Sequence, residues 1–426
     1  MISNEIKNAY IAILQEELVP AMGCTEPIAI AFASSIVGEV LGGAPEEIVA
    51  SFSGNIIKNV KSVIVPCTGG KHGIESALVA GIVSSRPDKR LEVLNALGDN
   101  ADREIDSLLS KCKITIEEIP SGCAFELHIR ARLKNDTAVV KILGSHTNVT
   151  EVSKNGEDLT EKYSLGKVVE NTYYRADRSC LNVQDIVEFA DTVDLALVED
   201  ILTQQIEMNM AIAEEGLTNT WGASIGKLLM EGEQTLSRKA RAYAAAGSDA
   251  RMSGCELPVC IISGSGNQGI TASVPIKIYA DALGVSKDAF LRALLVSDLI
   301  TIHQKNGIGC LSAYCGAVSA GVGAGAGICY LHGGKYYEIA HTLVNAVAII
   351  SGTICDGAKP SCAAKIAMAV EAGIMGFEMA RTKRQFLGGD GIVTKGVENT
   401  IRNVGRLARD GMTQTDKEII RIMLGK

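Results

Sequence analysis

The chain has 426 residues, enough to bury a large core, and two domains are the natural expectation for that length. Its 41 Lys and Arg against 49 Asp and Glu leave a formal net charge of -8. No basic block interrupts the sequence, which argues against a nucleic-acid partner. Aromatic residues make up 4% while glycine reaches 44 residues, a composition suited to closely packed helices and backbone-lined pockets.

In chain order, residues 4–18 read as an amphipathic helix. The start, Met1-Ile2-Ser3-Asn4-Glu5-Ile6-Lys7, lacks a basic segment followed by an apolar one, so no signal peptide and a cytoplasmic location are expected. Glu26-Pro27 opens a second, apolar helix to about Leu41, with Pro27 in the first turn where its missing N–H costs nothing. Ile48 to Gly54 reads as a strand, Lys58 to Lys61 as a basic segment, and Ile74 to Val83 as a helix.

Composition changes at Ser84-Ser85-Arg86-Pro87. Leu91 to Ser110 reads as helical, and strands are expected at 113–119, 125–133, 137–143 and 148–154, where β-branched and polar residues alternate. His128 and His146 fall in or near these strands and read as structural, for want of clustered partners. From Val183 onward the pattern is helical, with Asp185 to Glu215 as one or two helices and Ser224 to Ala246 as another. The uncharged stretch Ala313 to Leu331 is rich in Gly, Ala and Ser, which suits a helix buried in protein rather than one in a membrane. The fold class expected is α+β: a mainly α-helical catalytic domain from residues 1–85 and 180–426, with a small α+β domain, 86–179, inserted between them.

Twelve cysteines in a reducing compartment point to metal or catalytic roles for some and ordinary burial for others, not to a disulfide framework. Gly23-Cys24-Thr25-Glu26-Pro27 places Cys24 just before a helix, where unpaired amides and the helix dipole favour a thiolate and lower its pKa. Such a thiolate acts as base or nucleophile, and the alternative is a small residue filling a tight turn. Glu26, in the first turn, suits the dipole whether or not it touches substrate.

Gly54-Asn55 with Lys58-Asn59, and Pro66-Cys67-Thr68-Gly69-Gly70, offer glycine-freed amides beside Asn, Thr and Lys, a combination suited to a carboxylate. Ser263-Gly264-Ser265-Gly266-Asn267-Gln268-Gly269 lacks the βαβ context of a dinucleotide fingerprint and the Gly-Lys-Ser/Thr ending of a phosphate loop. It reads as a nest for a small anionic substrate.

Cys315, in Leu311-Ser312-Ala313-Tyr314-Cys315-Gly316, is followed by Cys355 and Cys362 in Cys355-Asp356-Gly357-Ala358-Lys359-Pro360-Ser361-Cys362. Thirty-nine and six residues intervene, unlike the tight run of a ferredoxin. Three distributed thiolates suit an iron–sulfur cube whose fourth iron stays open to substrate; buried packing or zinc would use the same residues. Cys310 and Cys329 lie near enough in sequence to compete, and Cys255 with Cys260 is a candidate zinc half-site.

Together these motifs resemble the L-cysteine desulfidase family, which is similar to the α subunit of iron–sulfur L-serine dehydratases, and the resemblance spans the whole chain. It implies that Cys315, Cys355 and Cys362 ligate a [4Fe–4S] cluster with one iron free of protein ligands, and that Cys24 is the catalytic base. It implies αβ-elimination of a small amino acid, L-cysteine to sulfide, ammonia and pyruvate, without pyridoxal phosphate. The substrate carboxylate is then expected on the glycine loops, contacted by Thr25, Asn55, Asn59, Thr68, Gly69, Gly264, Ser265, Gly266, Asn267, Gln268 and Ser312.

Lys58, Lys71, Lys305 and Lys359 are candidates for charge neutralisation, none read as essential. Serine dehydratases place a cysteine at the extreme C-terminus, whereas this chain ends Ile422-Met423-Leu424-Gly425-Lys426, which favours the desulfidase branch. An L-serine-deaminating lyase and a non-catalytic amino-acid-binding relative are the alternatives, and the chain is compatible with a homo-oligomer.

Overall fold

The computed structural model describes residues 2–120, 123, 125–164, 176–309 and 311–425, so Cys310 lies outside the described residues. Helix α1 (Asn4–Glu17) is capped by Ser3, whose hydroxyl accepts from the Ile6 amide. Strand β1 (Pro20–Met22) leads into α2 (Thr25–Leu41), then β2 (Glu47–Ser53), α3 (Gly54–Val60) and α4 (Gly73–Ser84). The basic segment at 58–61 is thus largely the end of a short helix rather than a loop. The expected helix over 91–110 is instead a 3-10 segment, Pro87–Ala96, and a separate α5 (Ala101–Lys111). Arg90 and Glu92 leave helical geometry inside the first piece, and this breaks the run.

Strands β3 (Lys113–Ile119), β4 (Glu126–Leu133), β5 (Asp136–Leu143), β6 (Val149–Lys154) and β7 (Glu157–Asp158) follow, then a single turn α6 (Thr160–Tyr163). They form a six-stranded sheet in the order β3-β2-β4-β5-β6-β7, parallel between β2 and β3 and antiparallel elsewhere. Strand β2, which precedes residue 86, therefore sits between strands of the 86–179 segment, with Phe52 opposite Leu127. Helix α2 is buried almost all round, between α4 and the face of β4 and β5.

The remainder is helical: α7 (Val183–Thr192), a 3-10 turn at Leu195–Leu197, α8 (Glu199–Thr218), α9 (Ile225–Met230) and α10 (Leu236–Met252). The helix expected over 224–246 is split into α9 and α10, the second capped by Thr235, whose hydroxyl accepts from the Arg238 amide. A short strand β8 (Pro258–Cys260) pairs with β1. Then come α11 (Gly266–Leu283), α12 (Lys287–Ile308), α13 (Gly316–Leu331), α14 (Tyr336–Ile350), α15 (Cys362–Arg381), α16 (Val397–Arg406), a π-helical turn at Leu407–Gly411 and α17 (Thr413–Leu424). The fold is α+β and mainly helical, as expected.

Apolar packing is continuous from Tyr10 and Ile13 on α1, through Ile48 and Phe52 on β2, to Leu343 on α14 and Ile401 on α16. Glycine decides how closely α13 and α15 approach. A Cβ on Gly321 would lie 2.3 Å from the Ala369 carbonyl oxygen, and one on Gly373 would lie 2.1 Å from that of Gly321. No side chain fits at either contact, so the helices run backbone to backbone and their N-terminal ends open onto the same space. Among the described residues, no helix is long and apolar enough to cross a membrane.

Candidate active site

A cleft enclosing about 790 Å³, its open mouth included, lies where the N-termini of four long helices meet. Cys24 is the N-cap of α2, Ser265 that of α11 and Cys315 that of α13, while Cys362 is the first residue of α15, and all four line the cleft. Each terminus presents unbonded amides and the positive end of a helix dipole, so the space is electropositive before any side chain is counted.

The three C-terminal thiols share this cleft. The segments before Cys315 and Cys355 are stitched together by an antiparallel bridge between Tyr314 and Ile354. The Cys315 amide donates to the Thr353 carbonyl at 3.0 Å, and the Cys355 amide to the Ala313 carbonyl at 2.6 Å. Burial, then the charge of Cys355, pushes the Cys315 thiol up to about 12, and Cys362 contributes in the same direction. The thiols therefore feel one another. Among the described residues, no three Cys, His, Asp or Glu side chains stand close enough to hold a single metal ion.

Cys24 packs with Val63, Met252, Ala358 and Cys362. Its Sγ donates to Glu26 Oε2 at 3.1 Å, and the same oxygen accepts from Thr25 Oγ1 at 3.1 Å. Asn59 Nδ2 donates to Glu26 Oε1 at 2.8 Å, so both carboxylate oxygens are held. The sequence suggested a lowered Cys24 pKa; the structure reverses that. Burial first, and then the Glu26 carboxylate, raise the thiol well above its ordinary value against the pull of Arg251. Burial also opposes the charge on Glu26, yet His146, the Cys24 hydrogen bond and Arg251 hold its carboxyl below the usual range. Cys24 thus rests as a thiol facing an ionised acceptor.

The remaining residues expected at the site divide into two groups. Asn59, Gly264, Ser265, Asn267, Gln268 and Ser312 line the cleft with the four cysteines. Thr25 stands just behind, its single hydroxyl proton shared between Glu26 Oε2 at 3.1 Å and the Gly264 carbonyl at 2.7 Å. Gly266 is also behind the wall, because the Arg251 side chain occupies the space a Cβ there would need, with Nε 2.4 Å away.

Asn55, Thr68 and Gly69 are not among the lining residues. Thr68 Oγ1 instead donates to the Val65 carbonyl at 2.7 Å, and the Gly69 Cα faces the Asp102 carboxylate. The loop that carries them sets the position of Cys24: the Pro66 ring fills the space beside Gly23, whose φ of +57° turns the chain into α2.

Four lining residues carried no usable signal. Arg251 lies in the last turn of α10, in a helix that reads as ordinary. His146, read as structural, is 6% exposed with an unpartnered Nε2 and sits against Gly264. Lys58 and Lys305 were two of four lysines in turns and helix ends, with nothing in the sequence to separate them. Lys58 Nζ pairs with Asp416 Oδ1 of α17 at 2.5 Å, and Lys305 Nζ donates to the Gly309 carbonyl at 2.6 Å. Lys71 pairs instead with Asp106, and Lys359 with Asp356.

Cys329, a competitor in sequence, lies near the far end of α13, about 20 Å along the helix from Cys315. Cys255 and Cys260 are buried away from the cleft, beside and in β8.

A helical protein with an inserted sheet strand and a cleft lined by helix-terminal cysteines defines a class, and sequence comparison places the chain within it. Residues 88–421 match the family model described as the serine dehydratase alpha chain, and the protein belongs to that family. It is also similar to the UPF0597 protein of Desulfitobacterium hafniense strain Y51, 51% identical over 98% of this chain and 96% of the relative. The UPF0597 proteins of Treponema denticola (43% identical, 97% of each chain) and Finegoldia magna (44%, 98% of this chain and 99% of the relative) match over the same extent.

Proposed function

We propose that the protein is a [4Fe–4S]-dependent lyase acting on a small amino acid, with L-cysteine the preferred substrate. The observation that carries this reading is the convergence of Cys315, Cys355, Cys362 and Cys24 on one electropositive cleft. Cys315, Cys355 and Cys362 would hold the cluster. When bound, it supplies a Lewis-acidic iron that stabilises the leaving sulfur or oxygen.

The chain's own residues supply the rest. Cys24 removes the α-proton once its own proton has passed to Glu26 Oε2, to which it is already hydrogen-bonded. Asn59 and Thr25 fix the carboxylate that receives that proton. Loss of the β-substituent then leaves aminoacrylate, which tautomerises to an imine and hydrolyses to pyruvate and ammonia. For L-cysteine plus water the products are sulfide, ammonia and pyruvate, which balances. No pyridoxal phosphate is required by this scheme.

The family description supports a second reading, elimination of water from L-serine at the same site. The two are separated by anaerobic assay of the iron–sulfur-reconstituted protein with each amino acid. Faster sulfide release from L-cysteine than pyruvate formation from L-serine supports the desulfidase. The reverse order makes it a serine dehydratase, and no product from either ends the lyase reading.

A further inference from the structure

Arg251 is 3% exposed and lines the cleft, yet its buried Nε has no hydrogen-bond partner. A buried cation with no hydrogen-bonded partner is costly, and an anion that enters the cleft and bonds to it lowers that cost. Glu26 is the acid in reach of its field, but both Glu26 oxygens are already engaged by Cys24, Thr25 and Asn59. The position is also built. Gly266 leaves the space in which the guanidinium lies, with Nε 2.4 Å and Cζ 3.0 Å from where a Cβ would stand.

A second set of buried atoms has the opposite polarity. Asn267 Oδ1 and Gln268 Oε1, both in the first turn of α11 and lining the same cleft as Arg251, are shielded from solvent and accept no hydrogen bond. The same cleft therefore offers a fork of cationic donors and two neutral acceptors. A zwitterion matches it: carboxylate to guanidinium, ammonium to the side-chain carbonyls.

We propose that Arg251 is the carboxylate anchor of an α-amino-acid subsite, with Asn267 and Gln268 receiving the ammonium group. This rests on the lyase reading for the identity of the ligand as substrate, but the subsite itself is defined by these buried groups. It moves the carboxylate from the glycine amides, where the sequence suggested it, to a side chain the glycines make room for.

The test is binding of L-alanine, which carries both charges and no leaving group, measured by calorimetry and by ligand-induced melting shift. The wild-type chain should bind it, Arg251→Met should weaken binding at least ~10-fold, and Arg251→Lys should be intermediate because it keeps the charge and loses the fork.

Wild-type binding that survives in Arg251→Met, or a wild-type chain that binds no L-alanine, overturns the assignment. If Arg251→Met does not fold, Arg251→Lys decides: unchanged L-alanine affinity overturns the fork. Binding lost in the variants of a protein that releases neither sulfide nor pyruvate keeps the subsite and ends the lyase. Turnover with an unchanged KM in Arg251→Met keeps the lyase and ends the subsite.

Discussion

At the scale of single residues the site turns on a thiol and a carboxylate two positions apart. Cys24 stood out because a cysteine between Gly23 and a helix start suits a thiolate, although a small residue filling a tight turn fits the same place. Glu26 was not, because an acid in a first helical turn is common for dipole reasons alone. Its burial and its three hydrogen bonds give it a different standing. Glu26→Gln keeps the shape and removes the proton acceptor, so kcat for sulfide release should fall about 10²-fold with iron content unchanged. Equal kcat in wild type and variant would remove Glu26 from the proton path.

Arg251 and His146 show why part of the cleft was not legible. Both come from unremarkable local sequence, and their meaning depends on Gly264 and Gly266, which leave the space that His146 and Arg251 occupy. The glycine loop itself was visible as a motif. That Gly264 and Gly266 also seat the His146 and Arg251 side chains required the three-dimensional neighbours.

Elements were read well where apolar periodicity was long and poorly where short pieces met. Helix α2 and strands β3 to β6 fall close to their expected bounds. Helix α3 was missed because seven residues give under two turns of pattern, and the α9–α10 break because Gly232 to Gln234 look no different from a polar helix face.

Two contacts between elements yield measurable consequences. Lys58 of α3 is 1% exposed at its side chain and is neutralised by Asp416 of α17. Asp416→Asn should cost about 2–4 kcal/mol by leaving that ammonium unpaired, and hydrogen exchange should quicken across residues 413–424. Unchanged exchange there would show that α17 is held by its apolar contacts alone.

Asp298 of α12, bonded to Gln205 Nε2 of α8 at 3.0 Å, has its carboxyl pushed up to about 8 by burial, with Gln205 opposing. Between pH ~4 and ~8 the unfolded chain ionises this group while the folded chain keeps it protonated, so stability falls as pH rises. Asp298→Asn removes that slope. The stability of the variant relative to wild type should rise from pH 5 to pH 8, by on the order of 4 kcal/mol. A gap that does not change with pH would place the ionised form of Asp298 in the folded protein.

Across the whole molecule, the fold brings four distant helix starts to one point. The near-contact of α13 with α15 through Gly321 and Gly373 aligns Cys315 with Cys362, and the Tyr314–Ile354 bridge adds Cys355. The sequence showed which cysteines had suitable neighbours, but 39 intervening residues say nothing about convergence. The central sheet was similarly hidden. Pairing of β2 with β3 and β4 joins segments more than 60 residues apart, and such register follows from tertiary packing rather than from local pattern.

In the proposed lyase, Cys315, Cys355 and Cys362 act as cluster ligands and Cys24 does not. Anaerobic reconstitution followed by iron counting and visible absorption tests this directly. Wild type and Cys24→Ala should each carry about four irons per chain, with Cys24→Ala inactive, and the triple Ala variant of Cys315, Cys355 and Cys362 should carry none. A triple variant that keeps the wild-type iron content, or a Cys24→Ala chain that loses it, would contradict the account.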